Sequence, residues 1–175
     1  MKISIILPYK ENFSFDKAGA VSLYVRDITI KSRFKNSIKV FGDTLSKKKL
    51  LKNFTHIDTK GKIYLSKTNA YINEFLKLEK KINSDLIEVH NRPTYISSIK
   101  KFTNSKLVIY FHNDPLTMKG SSTINERINL IRNTDKIIFN SHWCKKRYMD
   151  NLPSDKISFE NLIVIPQSTS YTKIN

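Results

Sequence analysis

The sequence has 175 residues, a length that suits one ordinary domain with a real core. Its formal net charge is +16, yet 39% of the residues are hydrophobic, which excludes a disordered polycation. The single cysteine, Cys144, excludes an internal disulfide and suits a reducing compartment. No apolar run approaches the roughly 18–20 residues of a membrane span, and residues 1–8 are too few for a signal peptide. These features predict a soluble, cytoplasmic domain.

The composition of the positive charge argues against a nucleic-acid-binding protein. Lysine accounts for 25 of the 31 basic residues and arginine for 6. Arginine is the residue that suits bidentate contacts with bases and phosphates, and here it is scarce. The charge still favours anionic partners, among them a sugar nucleotide and the anionic lipid headgroups of a membrane surface.

Apolar runs of strand length alternate with stretches of helical periodicity. In chain order, the pattern predicts strand 2–8, helix 20–34, strand 38–42, strand 62–66, helix 68–83, strand 85–90, a short helix opened by Pro93, strand 106–111, a helix after the capping box Thr123-x-x-Glu126, strand 136–140, a helix capped by Ser141 and ended by Pro153, and strand 162–165. Residues 43–61 are lysine-rich and carry no clear pattern. Helical spacing places on buried helix faces Ile96, Ile99, Phe102, Cys144, Tyr148 and Leu152. The helix after the capping box carries Ile124, Ile128 and Ile131 at helical spacing.

This alternation predicts an α/β fold. We expect a doubly wound, mostly parallel, Rossmann-like sheet of about seven strands with helices on both faces and right-handed crossovers. No repeat, low-complexity tract or internal linker divides the chain, so residues 1–175 are expected to form a single domain.

Candidate functional residues follow the predicted strands, because doubly wound sheets bind ligands beyond the carboxyl ends of their strands. Three of the four histidines fall at such ends. The segments that follow strands are 8–19, His90-Asn91-Arg92-Pro93, His112-Asn113-Asp114-Pro115, Ser141-His142 and 166–168. Each segment also has an ordinary structural explanation: histidines hydrogen-bonded to backbone, turn-forming Asn and Asp, and Ser141 as a helix cap.

Gly19 and Ala20 end the loop after the first strand and open a helix. Small residues there let a phosphate approach the backbone amides at the positive helix end, and a flexible turn is the alternative.

Several other chemistries lack their motifs in the sequence. There is no G-x-G-x-x-G fingerprint and no Walker A pattern, so we expect no dinucleotide cofactor. No H-E-x-x-H or Cys/His ligand spacing occurs, so we expect no metal. Cys144 lies on the inward side of its helix, as a buried inert thiol does.

The strand-end segments occur in an order that matches one known family along nearly the whole chain. The matching pieces are 3–8 with the loop to Gly19-Ala20, the helix carrying 22–25, and segments 85–93, 107–114, 135–141 and 162–166. Their order and spacing resemble the N-terminal domain of the family 4 glycosyltransferases, which are retaining enzymes of the GT-B fold.

The resemblance implies roles for the matched residues. Gly19 and Ala20 would lie beside the diphosphate of a nucleotide-sugar donor, where the family usually has two glycines. His112 would be the catalytic residue, lying near the reacting sugar and the acceptor. The expected acceptor-binding residues are His90, Asn91, Arg92, Asn113, Asp114 and Ser141. The family needs no metal, and its front-side displacement relies on positioning and charge stabilisation rather than on a protein nucleophile.

The family's second, donor-binding domain, with its E-x7-E motif, has no counterpart in this sequence. We therefore expect the acceptor-side domain of a nucleotide-sugar-dependent hexosyltransferase acting on a glycan or lipid-linked acceptor in polysaccharide biosynthesis, truncated and inactive alone, and located in the cytoplasm or at the inner face of the membrane. Two alternatives stay open. One is a basic, non-enzymatic module that binds nucleic acid or anionic membrane, suggested by the net charge and Lys145-Lys146-Arg147. The other is a flavodoxin-like single-domain protein.

Overall fold

The computed structural model describes residues 1–61, 66–153, 155 and 157–167. These residues form one parallel sheet of seven strands, in the spatial order β3-β2-β1-β4-β5-β6-β7. The strands are β1 (Ile3–Ile6), β2 (Ile38–Gly42), β3 (Phe54–His56), β4 (Leu86–His90), β5 (Lys106–Phe111), β6 (Lys136–Phe139) and β7 (Leu162–Val164). The helices are α1 (Ala20–Lys31), α2 (Lys67–Ile82), α3 (Thr94–Lys100), α4 (Ile124–Asn133) and α5 (His142–Met149). The predicted doubly wound α/β fold is confirmed.

The strand order reverses between β1 and β4. The chain builds outward from β1 through β2 to β3, then returns to add β4 on the other side of β1. Such a reversal leaves a crevice at the carboxyl ends of the two central strands, where doubly wound folds bind ligands.

Alternate residues of the strands pack on opposite faces of the sheet, as the period of two requires. On one face, Ile5 and Leu7 pack in a core that includes Val25 of α1. On the other face, Ile6 packs in a larger core that includes residues of α2, α3, α4 and α5. Helices therefore cover both faces, but on the first face α1 is the only one among the described residues that does so.

Three helices begin at the caps that their sequences specify. Thr123 and Glu126 form a capping box at α4, in which each side chain accepts from the other residue's backbone N–H. Ser141 accepts from the N–H of Cys144 at the start of α5, and Ser66 accepts from Asn69 at the start of α2. The predictions for Thr123 and Ser141 are confirmed.

The third strand of the sheet lies outside the strands predicted from the sequence. It is Phe54–His56, within the stretch that carried no clear pattern, and it pairs with β2. Of the predicted strand 62–66, residues 62–65 lie outside the described residues, and Ser66 is the cap of α2. The lysine-rich surroundings hid a strand of only three residues at the sheet edge.

One inward placement is wrong. Phe102 is 71% exposed, because α3 ends at Lys100 and the helical periodicity stops two residues before Phe102. Ile124 is the first residue of α4 and is exposed. Cys144, Tyr148 and Leu152 are buried as predicted.

None of the helices within the described ranges has the length and apolar character needed to cross a membrane.

Candidate active site

The carboxyl ends of β4 and β5 bring two histidines together. The register of the two strands sets His90 opposite Tyr110, so His112 follows two residues later on the same face. Nδ1 of His90 lies 2.7 Å from Nε2 of His112. Two side chains that are 22 residues apart in sequence therefore share one hydrogen bond beside the point where the strand order reverses.

The histidine pair is extended at both ends. Nε2 of His90 lies 2.9 Å from Oε1 of Glu88, close enough for an ion pair although bent from hydrogen-bond geometry. At the other end, Nε2 of the Gln167 side chain contacts Nδ1 of His112. The His90 side chain is fully buried and that of Glu88 is 17% exposed, whereas Gln167 is exposed. The four side chains form a continuous polar row from the interior of the sheet to its surface.

Aromatic rings enclose this row. The Tyr110 ring stacks on His112 with a centroid distance of 4.5 Å, and Tyr24 of α1 meets His112 edge-on at 5.1 Å. Burial, with the electrostatic interaction with His90 as the smaller cause, lowers the pKa of His112 to about 3. Burial likewise raises the pKa values of Tyr24 and Tyr110. His112 is therefore a neutral imidazole at physiological pH, able to accept a hydrogen bond at one nitrogen.

Asn91 holds the backbone of this site. It adopts a left-handed conformation with φ of 48°, which asparagine tolerates better than most residues. Its side-chain oxygen accepts from the backbone N–H of His112 at 2.8 Å, and Arg92 donates to the carbonyl of Asn91 at 2.9 Å. The side-chain amide of Asn140 donates to the carbonyl of His112 at 2.7 Å. Asn91 is buried and joins the ends of β4 and β5.

The remaining predicted acceptor residues lie at the same edge but make structural contacts. Asp114 accepts from the N–H of Leu116 and contacts Arg147. Ser141 caps α5. Asn113 is exposed, and its carbonyl lies 3.8 Å from the thiol of the buried Cys144. Of the predicted set, the structure places His90 and His112 in direct side-chain contact, and it ties Asn91 and Arg92 to their backbone.

The start of α1, the predicted phosphate position, holds a carboxylate from the chain itself. Gly19 has no side chain to cap the helix, and Oε1 of Glu11 accepts from the backbone N–H of Ser22 at 3.1 Å. A Cβ built on Gly19 would lie 2.6 Å from the same oxygen. Glycine at this position therefore makes room for Glu11, while the adjacent Ala20 is exposed.

Sequence reasoning missed several polar residues at this edge. Glu88 stands two residues before His90, and a carboxylate within an otherwise apolar buried strand was the available signal. Asp43 directly follows β2; both its oxygens accept from the N–H of Lys10, and burial raises its pKa against those hydrogen bonds. His56 ends β3, so all four histidines follow or end a strand. Its Nδ1 is buried without a partner among the described residues.

A separate open groove of about 1330 Å³ lies at the opposite, amino end of β4 and β5. Its lining includes the lysines 77, 80, 100, 101 and 106 together with the exposed Phe102. No group of three or more His, Cys, Asp or Glu side chains within the described part of the chain is arranged to hold a metal ion.

The sequence matches no protein-family model, and no curated protein sequence is significantly similar to it. Solved structures do match the fold. The chain aligns with the apo form of the lipopolysaccharide outer core galactosyltransferase WaaB at a TM-score of 0.69 and 15% identity, over 99% of this chain and 47% of that one. It aligns with Anabaena HepE in complex with UDP-glucose at 0.63 and 12%, over 97% and 44%. It aligns with sucrose-phosphate synthase of Thermosynechococcus elongatus at 0.65 and 12%, over 97% and 49%.

The chain spans about half the length of these solved chains. At these identities the likeness establishes the fold. The fold is that of one Rossmann-like half of the GT-B glycosyltransferases.

Proposed function

We propose that the chain is the acceptor-side half of a retaining glycosyltransferase of the family 4 type. It would help to move a sugar from a nucleotide-sugar donor to a glycan or lipid-linked acceptor in polysaccharide biosynthesis. The observation that carries the proposal is the neutral, enclosed His112 beside His90, at the carboxyl edge of a sheet whose fold matches one half of such enzymes.

In the proposed reaction the acceptor hydroxyl oxygen bonds to the anomeric carbon of the donor sugar. The bond from that carbon to the diphosphate oxygen breaks on the same face, and the hydroxyl proton passes to the leaving phosphate oxygen. This scheme needs no nucleophile from the protein, so the protein contributes by positioning and by stabilising charge. His112 would orient the acceptor hydroxyl or the reacting sugar, and His90, Asn91 and Arg92 would line the acceptor side together with Asn113, Asp114 and Ser141.

The donor diphosphate would approach the amides at Gly19 and Ala20, at the positive end of α1. Glu11 already occupies this helix end with a negative charge. Phosphate binding there therefore requires the Glu11 carboxylate to move away. At the proposed donor site, the phosphate would replace this carboxylate as the acceptor of the helix N–H groups.

A second, donor-binding domain would complete the cleft, and we propose that residues 1–175 alone have negligible transferase activity. One side of a cleft leaves the nucleotide and sugar largely in water, which weakens both affinity and electrostatic stabilisation. The net charge of +16 would add a peripheral attraction to an anionic membrane surface, where lipid-linked acceptors lie.

The test is an NMR titration of the isotope-labelled chain with UDP-glucose, ADP-glucose and GDP-mannose at millimolar concentration. We expect one of them to shift the amides of residues 19–22 and of the segment after His112. The matched variant His112→Gln should keep the shifts at the helix end and lose those around the histidines.

A chain that gives no shift at this edge with any of the three sugar nucleotides would overturn the proposal. Shifts confined to the lysine-lined groove, and produced equally by a DNA duplex in low salt, would instead support a basic binding module.

A further inference from the structure

In the row Glu88–His90–His112–Gln167, the donors and acceptors follow one order along the row. This order is set by the Glu88 carboxylate at the buried end. The side chain of Glu88 supplies carboxylate oxygens, which accept hydrogen bonds. Nε2 of His90 lies 2.9 Å from that carboxylate, within ion-pair distance but outside hydrogen-bond geometry, and no other described residue is a hydrogen-bond partner. A lone pair at this nitrogen would face negative charge at close range in a buried place. The proton of a neutral His90 therefore belongs on Nε2.

The position of the proton on His90 in turn determines the position of the proton on His112. With its proton on Nε2, His90 presents a lone pair at Nδ1, and the short contact with His112 then requires a proton on Nε2 of His112. Nδ1 of His112 is left as an acceptor, which agrees with the amide nitrogen of Gln167 that contacts it. All three contacts are satisfied by one arrangement of protons, in which every donor points inward toward Glu88.

We propose that Glu88 is a positioning residue that fixes the tautomers of both histidines, so that His112 presents the lone pair of Nδ1 to the cleft. Glu88 does so without touching the cleft, through His90. A carboxylate on a strand next to Val108 and largely out of water is costly unless a partner offsets its desolvation. The His90 N–H is that partner.

The positions of the histidine protons would decide how His112 contacts a substrate. This step rests on the proposed function. A hydroxyl of the bound sugar, other than the attacking acceptor hydroxyl, that takes the place of the Gln167 amide would donate its hydrogen to Nδ1 of His112. This contact would orient the reacting sugar, while the acceptor hydroxyl keeps its own proton for the leaving phosphate oxygen. The opposite tautomer would offer an N–H to the same sugar oxygen and would favour a different orientation of that hydroxyl.

The experiment measures the NMR chemical shifts of the imidazole nitrogens in the isotope-labelled 175-residue chain at a pH above neutral. It does not require the chain to be catalytically active. In the wild type we expect both histidines to carry the proton on Nε2, with a pyridine-type Nδ1 resonance. Glu88→Gln keeps a carbonyl acceptor at the same place, so the tautomers should be retained. Glu88→Met keeps the side-chain length and removes the acceptor, so the Nδ1 resonance of His112 should move toward the protonated position as both tautomers become populated.

Glu160→Gln, an exposed change away from the row, is the control and should leave every imidazole resonance in place. A wild-type His112 protonated on Nδ1, or a His90 protonated on both nitrogens, would overturn the proposal, and this measurement needs no variant to fold. Unchanged tautomers in a folded Glu88→Met chain would overturn it as well. None of these outcomes depends on glycosyl transfer, so a failed sugar-nucleotide titration would count against the proposed function alone.

Discussion

Oε1 of Glu11 lies 3.1 Å from the backbone nitrogen of Ser22, at the positive end of α1. A carboxylate there stabilises the helix by accepting from a free N–H and by opposing the helix dipole. It also fills the place that the proposed function assigns to a phosphate of the donor. The same contact therefore favours folding and opposes anion binding.

Glu11→Gln should raise the affinity of the chain for inorganic pyrophosphate several-fold. The variant keeps an oxygen acceptor for the Ser22 N–H but removes the negative charge, so an incoming anion no longer meets repulsion. The free energy of unfolding should fall by about 0.3–1 kcal/mol, the usual contribution of a charge at a helix end. Isothermal titration and urea denaturation measure the two quantities.

The matched control is Asp16→Asn, which removes a charge from the same loop without touching the helix start. It should leave the pyrophosphate affinity unchanged. Equal affinities for the wild type and Glu11→Gln would show that phosphate does not bind at α1.

Gly120→Ala should lower the free energy of unfolding by about 1–3 kcal/mol, because it introduces backbone strain. Gly120 has a φ of 92°, and a Cβ there would lie 2.9 Å from the backbone nitrogen of Thr94, which cannot move aside without shifting α3. Urea denaturation measures the loss. Gly61→Ala is the comparison, since Gly61 also has a positive φ but no atom of the described residues within 4 Å of its Cβ position. Equal losses for both would mean that the contact with Thr94 adds nothing.

Arg127→Met should destabilise the protein by about 3 kcal/mol, because a buried charged donor is lost while its acceptors stay buried. Arg127 is 4% exposed, and its Nη1 donates to the carbonyls of Tyr148 and Asp150, joining α4 to the end of α5. Thermal and urea denaturation both measure the effect. Arg132→Met changes an exposed arginine of the same helix and should cost less than about 0.5 kcal/mol.

The stability of the protein should fall as the pH drops below about 6.5. The pKa of His112 is about 3 in the folded chain and near 6.5 in the unfolded one, so only the unfolded chain takes up this proton between those values. Proton uptake by the unfolded state favours unfolding. His112→Gln should therefore show a flatter fall of unfolding free energy between pH 6.5 and 4 than the wild type, measured by urea denaturation at several pH values. Parallel curves for the two proteins would contradict the lowered pKa.

Most of the fold could be predicted from the sequence because the signals for strands, helices and caps lie in residues that are close together along the chain. The run 106–111 became β5 with the same bounds, and the capping box at Thr123 marked the start of α4. The strand Phe54–His56 was missed because three residues at a sheet edge are too few to establish a period, and their placement depends on pairing with β2. Phe102 was misplaced because periodicity does not say where a helix stops.

The sequence predicted only those residues of the candidate site that lie at or just after the ends of strands. The positions of His90 and His112 followed from the strands that precede them. Their contact depends on the register between β4 and β5, and the contact of Glu11 with α1 depends on how a loop folds back. Neither is written in a local pattern. Glu88 shares a face with His90 because they lie two residues apart on β4, whereas the contact of Gln167, from the predicted segment 166–168, with His112 depends on how the chain leaves β7.

The last strand, β7, and the residues after it affect access to the two histidines. β7 has only three residues, and within the described ranges its one partner strand is β6. Beyond β7, the carbonyl of Ile165 accepts from the hydroxyl of Tyr110 before Gln167 reaches His112. An edge strand this short opens at a small fraction of the global unfolding free energy. Residues 165–167 can therefore peel from the sheet while β4 and β5 stay intact. Nδ1 of His112 is therefore covered by a segment that follows a short edge strand, whereas Nε2 contacts the buried His90.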